Sequence, residues 1–246
     1  MPIVYNSEQD QVWQALITQQ LPLVLKVACK EYIEGLKLLN LPGDKIPELS
    51  KISSRLTNLT GWSLVPVNML IPNKKFFYML AEKKFPVVTV IRSKDELDFY
   101  TNESPDIFHE LFGHCPLITN EKYANYMCKF AKLALTCNDK MLNWLAKVFW
   151  ATFEFGLLNT NKGIKIYGAG ILPSKSETLR VIEDKVVCKI KLNIFSEIKA
   201  SLKGNIAQPT YYIVDSLENL YSIIDNDIEE IVNRCNNSQT YLLPSE

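Results

Sequence analysis

Both histidines of this 246-residue chain fall in one short stretch, Pro105 to Pro116, which reads PDIFHELFGHCP. His109 and His114 are five positions apart, Glu110 follows the first, and Gly113 precedes the second. In an ideal α-helix, five steps of about 100° would leave the two rings about 140° apart and on different faces. They can serve one site only if the helix loosens between them. Gly113 is where loosening is cheapest, because glycine tolerates backbone angles that other residues resist. Pro105 and Asp106 suit a helix opening, with a carboxylate near the positive end of the dipole, and Pro116 is placed to end the segment.

Two imidazoles beside a carboxylate point to a metal site. Such a site needs a third protein ligand, and open positions if it is to be catalytic. The pattern H-E-x-x-x-H is not the H-E-x-x-H of zinc hydrolases, so a metallohydrolase with Glu110 as general base on a bound water is disfavoured. The best candidate for the third ligand lies in VFWATFEFGL, where Glu154 is embedded among Phe149, Trp150, Phe153 and Phe155. Burying a carboxylate there costs several kcal/mol unless it is paired, protonated or metal-bound. A salt bridge to a lysine is the alternative for Glu154, and Cys115 is a competing thiolate ligand.

Composition narrows the class. With 47% hydrophobic and 22% charged residues, and 27 basic against 27 acidic side chains, the chain reads as an ordinary globular protein. Zero net charge gives no reason to expect nucleic acid or an anionic membrane as partner. Six scattered cysteines without a C-x-x-C pair read as reduced thiols of a cytoplasmic protein. No signal peptide and no transmembrane run is expected.

Periodicity and punctuation predict one domain over residues 1–246, mainly α with a small β component. Ser7 is the expected N-cap of a helical pattern reaching about Asn40, divided in two at Pro22. Further helices are predicted over Pro47–Leu59 (stopped at Gly61), from Asn73 through Leu80, and over Glu121–Leu135, Asp139–Leu157, Asn193–Leu202 and Leu217–Arg234. WSLVPVNMLIP reads as extended and irregular; Phe85–Ile91, Val186–Ile190 and Tyr211–Val214 read as strands. KIYGAGIL reads as a strand turning on Gly168 and Gly170, without the third glycine of a dinucleotide fingerprint. Arg92 closes the second extended stretch, where a guanidinium could grip a carboxylate in bidentate fashion.

PDIFHELFGHCPL, FWATFEFGL, KIYGAGILPSKSE and YYIVDS, in that order, resemble the catalytic domain of the pterin-dependent aromatic amino acid hydroxylases, and within them the short bacterial type that acts on phenylalanine. The resemblance covers about residues 8–225. It implies a single catalytic domain of that type, hydroxylating free L-phenylalanine to L-tyrosine with O2 as co-substrate. Fe(II) would be held by His109, His114 and Glu154. Tetrahydrobiopterin or a related reduced pterin would stack on Phe76, with Glu110, Met69 and Leu70 beside it. The resemblance assigns the substrate carboxylate to Arg92, supported by Asp106, and the ring pocket to Pro116, Trp150 and Phe155, with Gly170 and Glu177 on the substrate side. A monomer is expected.

The sequence also departs from the family's pattern. Ser104 replaces a glutamate and the stretch from Arg92 to Pro105 is about two residues longer; Met69 stands for a glycine, Phe149 for a tyrosine and Ala151 for an aromatic residue. Pro173 stands where a serine supports an iron-bound histidine, and lost support of that kind often costs about 10- to 100-fold in affinity or activity. A catalytically impaired member that binds metal or an aromatic ligand, or a hydroxylase preferring tryptophan or tyrosine, are the alternatives.

Overall fold

The computed structural model describes residues 3–97, 105–194, 208–230 and 232–233. Helix α1 (Ser7–Val27) begins one residue earlier than the sequence predicts: Asn6 is the N-cap, accepting from Gln9 N, and the Gln9 side chain accepts from Asn6 N, both at 2.9 Å. That reciprocal capping box satisfies two otherwise orphaned donors. Pro22 lies inside α1 and does not divide it. The break falls at Ala28, where the backbone bridges to Ile166 and Cys29 N donates to the Ile166 carbonyl at 2.9 Å. A cross-chain contact, and not the proline, therefore separates α1 from α2 (Lys30–Leu39).

Helix α3 (Leu49–Thr60) stops where predicted, with Gly61 in the left-handed region at φ 77°, a position that costs glycine little. Strand β1 (Ser63–Val67) emerges from the stretch expected to be irregular and pairs in parallel with β2 (Lys84–Val88), α4 (Asn73–Ala81) forming the crossover. After the histidine segment come α5 (Cys115–Ile118), α6 (Glu121–Leu135) and α7 (Asp139–Phe149). Pro116 sits in the first turn of α5, where its missing N–H is not needed, so it opens a helix instead of ending one.

The helix predicted to reach Leu157 ends earlier. Leu157 instead starts β3 (Leu157–Thr160), antiparallel to β4 (Gly163–Ile166). Then follow α8 (Lys175–Glu183), β5 (Cys188–Lys191), β6 (Thr210–Val214) and α9 (Leu217–Ser222), which continues as a π-helix over Ile223–Ile228. The sheet order is β4-β3-β6-β5, with β6 parallel to both neighbours. The helix expected over Asn193–Leu202 lies almost wholly outside the described residues, as do Ser104 and Cys235. The mainly helical class with a small β component is as predicted.

The core is aromatic. Phe149 stacks on Phe153 at 4.5 Å between ring centroids, and Phe76, Phe77 and Phe130 meet Phe149 at 5.3 to 6.0 Å. Such pairs contribute about 0.5–1.5 kcal/mol each beyond the area they bury. Among the described residues no helix is long and apolar enough to cross a membrane, and the five described cysteines are all free.

Candidate metal centre and its cavity

Both segments carrying candidate ligands are π-helical. Residues His109–His114 form one π turn and Trp150–Glu154 a second. Cys115 N donates to the Glu110 carbonyl and Phe155 N to the Trp150 carbonyl, each an i→i+5 bond. An i→i+5 bond widens the turn and swings residues five apart toward one face, which is what the H-E-x-x-x-H spacing requires. The expectation of a loosened helix is met, but the role of Gly113 differs from the predicted one. It does not adopt a positive φ; it supplies space, because a Cβ there would strike the Ala169 carbonyl and press on Pro173 Cγ.

The first π turn is anchored at both ends. Asp106 Oδ1 accepts from His109 N at 2.9 Å. The Phe112 carbonyl would look to residue 116 for its α-helical donor, but that residue is proline; the Tyr32 hydroxyl donates to it instead. The second turn is gripped by the chain after β4: Ala169 N donates to the Phe153 carbonyl at 2.9 Å and Gly170 N to the Glu154 carbonyl at 2.7 Å. Side chains at Gly168 and Gly170 would collide there with the backbone of residues 154–156 or the ring of Phe155.

These anchors bring three buried donor groups together. His109 Nε2 and His114 Nε2 lie 3.1 Å apart; Glu154 Oε1 is 3.1 Å from the His114 nitrogen and Oε2 is 3.7 Å from that of His109. Two ligands about 2.1 Å from a common ion and at right angles are about 3.0 Å apart, so the set fits one face of an octahedron. Among the described residues it is the one cluster with metal-holding geometry. The protonation states agree. Burial keeps His109 neutral by lowering its pKa to about 4. Burial alone would raise Glu154, but the imidazoles of His114 and His109 outweigh it and hold the group below its usual range, as a carboxylate. Glu110 goes the other way: burial, reinforced by Glu154, pushes it well above the usual carboxylate range, although Val88 N–H partly offsets this.

The triad forms part of the wall of a cavity of about 200 Å³. Phe76, Glu110, Met69, Leu70 and Trp150 line it, as does Phe149. Sequence reasoning missed Val67, Asn73, Phe77, Phe85, Pro86, Val88 and Ala146 in this lining; Phe85, whose ring is 4.9 Å from that of His114, left no signal beyond its strand pattern. The remaining expected substrate residues lie outside the lining. Arg92 is buried and makes a two-pronged pair with Asp106, Nε to Oδ2 at 2.7 Å and Nη2 to Oδ1 at 2.9 Å. Burial would raise Asp106, but Arg92 outweighs it and holds the carboxylate below its ordinary range. Phe155 joins Trp150 (5.5 Å) to Tyr211 (6.4 Å), and the Tyr211 hydroxyl donates to Glu177. Gly170 packs on Phe155, while Pro116 meets Gly35 of α2. Cys115 is buried and its thiol is pushed well above the usual range by burial.

Of the departures, Met69 is exposed at the rim of the cavity, Phe149 belongs to the aromatic stack, Ala151 is buried, and Pro173 is buried against Gly113. Ligating through Nε2 would leave the proton of His114 on Nδ1, which has no hydrogen-bond partner among the described residues.

Residues 1–236 match the family of biopterin-dependent aromatic amino acid hydroxylases. The chain is 40% identical over 230 residues to the phenylalanine-4-hydroxylase of Pseudomonas aeruginosa, covering 94% of this chain and 87% of that protein. The apo cold-active phenylalanine hydroxylase of Colwellia psychrerythraea superposes with a TM-score of 0.86 at 41% identity, covering 96% of this chain and 90% of that one. The Chromobacterium violaceum phenylalanine hydroxylase with bound iron(III) and 7,8-dihydrobiopterin gives 0.86 at 34% identity, covering 98% and 87%. A match over nearly the whole length, joined to a facial set of two imidazoles and a carboxylate beside an aromatic cavity, places this chain in the family of biopterin-dependent aromatic amino acid hydroxylases.

Proposed function

We propose that this chain is a phenylalanine 4-monooxygenase, converting free L-phenylalanine to L-tyrosine with Fe(II), a tetrahydrobiopterin-type reduced pterin and O2. The observation that carries the reading is the convergence of three buried donor atoms at the wall of a cavity lined by aromatic side chains. His109, His114 and Glu154 hold the iron and leave its other positions open. When bound, iron and reduced pterin together activate oxygen for insertion into an aromatic C–H bond, the pterin giving two electrons.

The protein's own groups bind, orient and exclude water. Phe76 stacks on the pterin and Glu110, next to a ligand, faces it; Met69 and Leu70 form its outer rim. Asp106 holds the Arg92 guanidinium that receives the substrate carboxylate, and the same Asp106 caps the first π turn, so substrate grip and metal ligand share one anchor. Trp150 walls the slot for the neutral ring, which favours apolar surfaces; Phe155 packs behind it, with Gly170 and the Glu177–Tyr211 pair behind that, and Pro116 sits against α2 outside the cavity lining. The enzyme acts as a cytoplasmic monomer in phenylalanine catabolism or tyrosine formation, without nucleic acid or membrane as partner.

Anaerobic loading with Fe(II), followed by phenylalanine, tetrahydrobiopterin and oxygen, tests this. Tyrosine forms, and does not form with Glu154→Ala. A catalytically weak member is the second reading, favoured by the Nδ1 of His114, which has no hydrogen-bond partner among the described residues. Phenylalanine-dependent turnover at an ordinary enzymatic rate, about 1 per second or more, excludes it.

A further inference from the structure

The turn from Gly168 to Ser174 touches both segments that carry metal ligands. Its N–H groups at Ala169 and Gly170 bond the carbonyls of Phe153 and Glu154, and its Ala169 carbonyl and Pro173 ring lie against Gly113, next to His114. Any drift of this turn moves Glu154 relative to His114. Yet Pro173, whose ring lies against Gly113, carries no side-chain donor or acceptor. The turn is held from behind instead. Gln20 of α1, buried and 152 positions away, donates its side-chain amide to the Leu172 carbonyl at 2.7 Å and to Thr178 Oγ1 at 3.2 Å. Thr178 in turn donates to the Ile171 carbonyl at 2.9 Å.

We infer that Gln20 is a positioning residue for the metal centre: its amide, with Thr178, fixes the Gly168–Ser174 turn and through it the placement of Glu154 against His114. The inference rests on the proposed metal role of those residues. Two observations separate this role from ordinary core packing. A buried glutamine in an otherwise apolar helix face costs free energy unless its donors are used, and here one goes to the Leu172 carbonyl in the turn and the other to Thr178 of α8, which itself donates to Ile171 in the turn. Neighbouring buried positions of α1, such as Leu16 and Ile17, are hydrocarbon.

The test uses the full chain and Co(II) as probe, whose visible absorption reports ligand geometry without turnover. Gln20→Glu keeps the shape and removes the N–H donors; Gln20→Leu removes the polar group. Each is expected to weaken Co(II) binding about 5- to 10-fold and to shift the visible band, with kcat falling and the KM for pterin unchanged. Ile17→Ala, which loosens the same helix but removes none of these hydrogen bonds, leaves Co(II) affinity and spectrum as in the wild type. Wild-type Co(II) affinity and spectrum in folded Gln20→Glu or Gln20→Leu overturn the inference, as does an equal loss in Ile17→Ala. Should neither Gln20 variant fold, Thr178→Val carries the same test, with a loss of about 2- to 5-fold expected and none overturning it. A wild-type chain that binds no Co(II) overturns the proposed metal centre itself, and this inference with it.

Discussion

The two sides of the cavity are built in opposite ways. On the ligand side, His109, His114 and Glu154 are buried on π turns whose neighbours approach so closely that Gly113, Gly168 and Gly170 have no room for a methyl group. On the outer side, Met69 and Leu70 are 67% and 53% exposed and stand on a connection between β1 and α4. Backbone carbonyls hold the first side; little holds the second. A metal centre needs its donors fixed to within a fraction of an ångström, whereas a rim that only excludes water tolerates many shapes. Variation at Met69 is therefore cheap, while Pro173, packed on Gly113, is a change inside the tight side.

The difference can be broken first at the centre. Glu154→Ala removes one of three charged or dipolar donors and leaves two imbalanced imidazoles. Metal affinity should fall by more than about 100-fold, since changes merely behind a ligand already cost 10- to 100-fold, and tyrosine formation should disappear. Equilibrium dialysis against Fe(II) under argon measures it. Retained binding would mean that the three atoms do not share an ion.

Asp106→Asn comes next. The substitution keeps the shape but removes the anion beside a buried guanidinium and weakens the cap on His109 N. Removing one partner of a buried ion pair costs about 3–5 kcal/mol, read as a shift in the denaturation midpoint, and the KM for the amino acid should rise with it. A rise in pterin KM alone would show that Arg92 serves the other side of the cavity.

Gly168→Ala probes the tight side without touching a ligand. Its Cβ would meet Glu154 O, Phe155 Cα and Gly156 N, all backbone atoms with nowhere to retreat. Overpacking of that kind reaches about 3 kcal/mol, or roughly 6–12 °C in melting temperature for a chain of this size. A loss under 1 kcal/mol would show that the turn gives way, and the claim that it clamps Glu154 would fail.

Much of the centre was legible because its chemistry is unusual. Two histidines in one stretch and a single acid inside an aromatic run are improbable as packing, and the five-residue spacing already demanded an irregular helix. What could not be read is what tertiary contacts decide. Pro22 reads as a break, yet Trp13, Leu16, Ile17 and Val24 bury on α1 from both sides of it and the helix survives the lost donor. Phe155 to Leu157 reads as more helix; the Tyr167 ring, packed where a Gly156 side chain would be, turns the chain into β3. Gln20 is invisible for the same reason, since its partners lie 152 and 158 positions away.

The smallest effect belongs to the open rim, and it sharpens the comparison most. Fully burying a methionine side chain is worth about 1.5–3 kcal/mol, and two thirds of Met69 is in water, so a bound pterin that covers about half of that exposed surface gains about 0.5–1 kcal/mol. Met69→Ala should therefore weaken pterin binding by about 2- to 5-fold, leave Co(II) affinity untouched, and change the denaturation midpoint by no more than the ±0.5 kcal/mol usual for surface substitutions. Calorimetric titration with reduced pterin, under anaerobic conditions, gives the first number and thermal denaturation the last. A stability loss comparable to that of Gly168→Ala would mean the rim is as constrained as the ligand side, and that its exposure does not measure its freedom to vary.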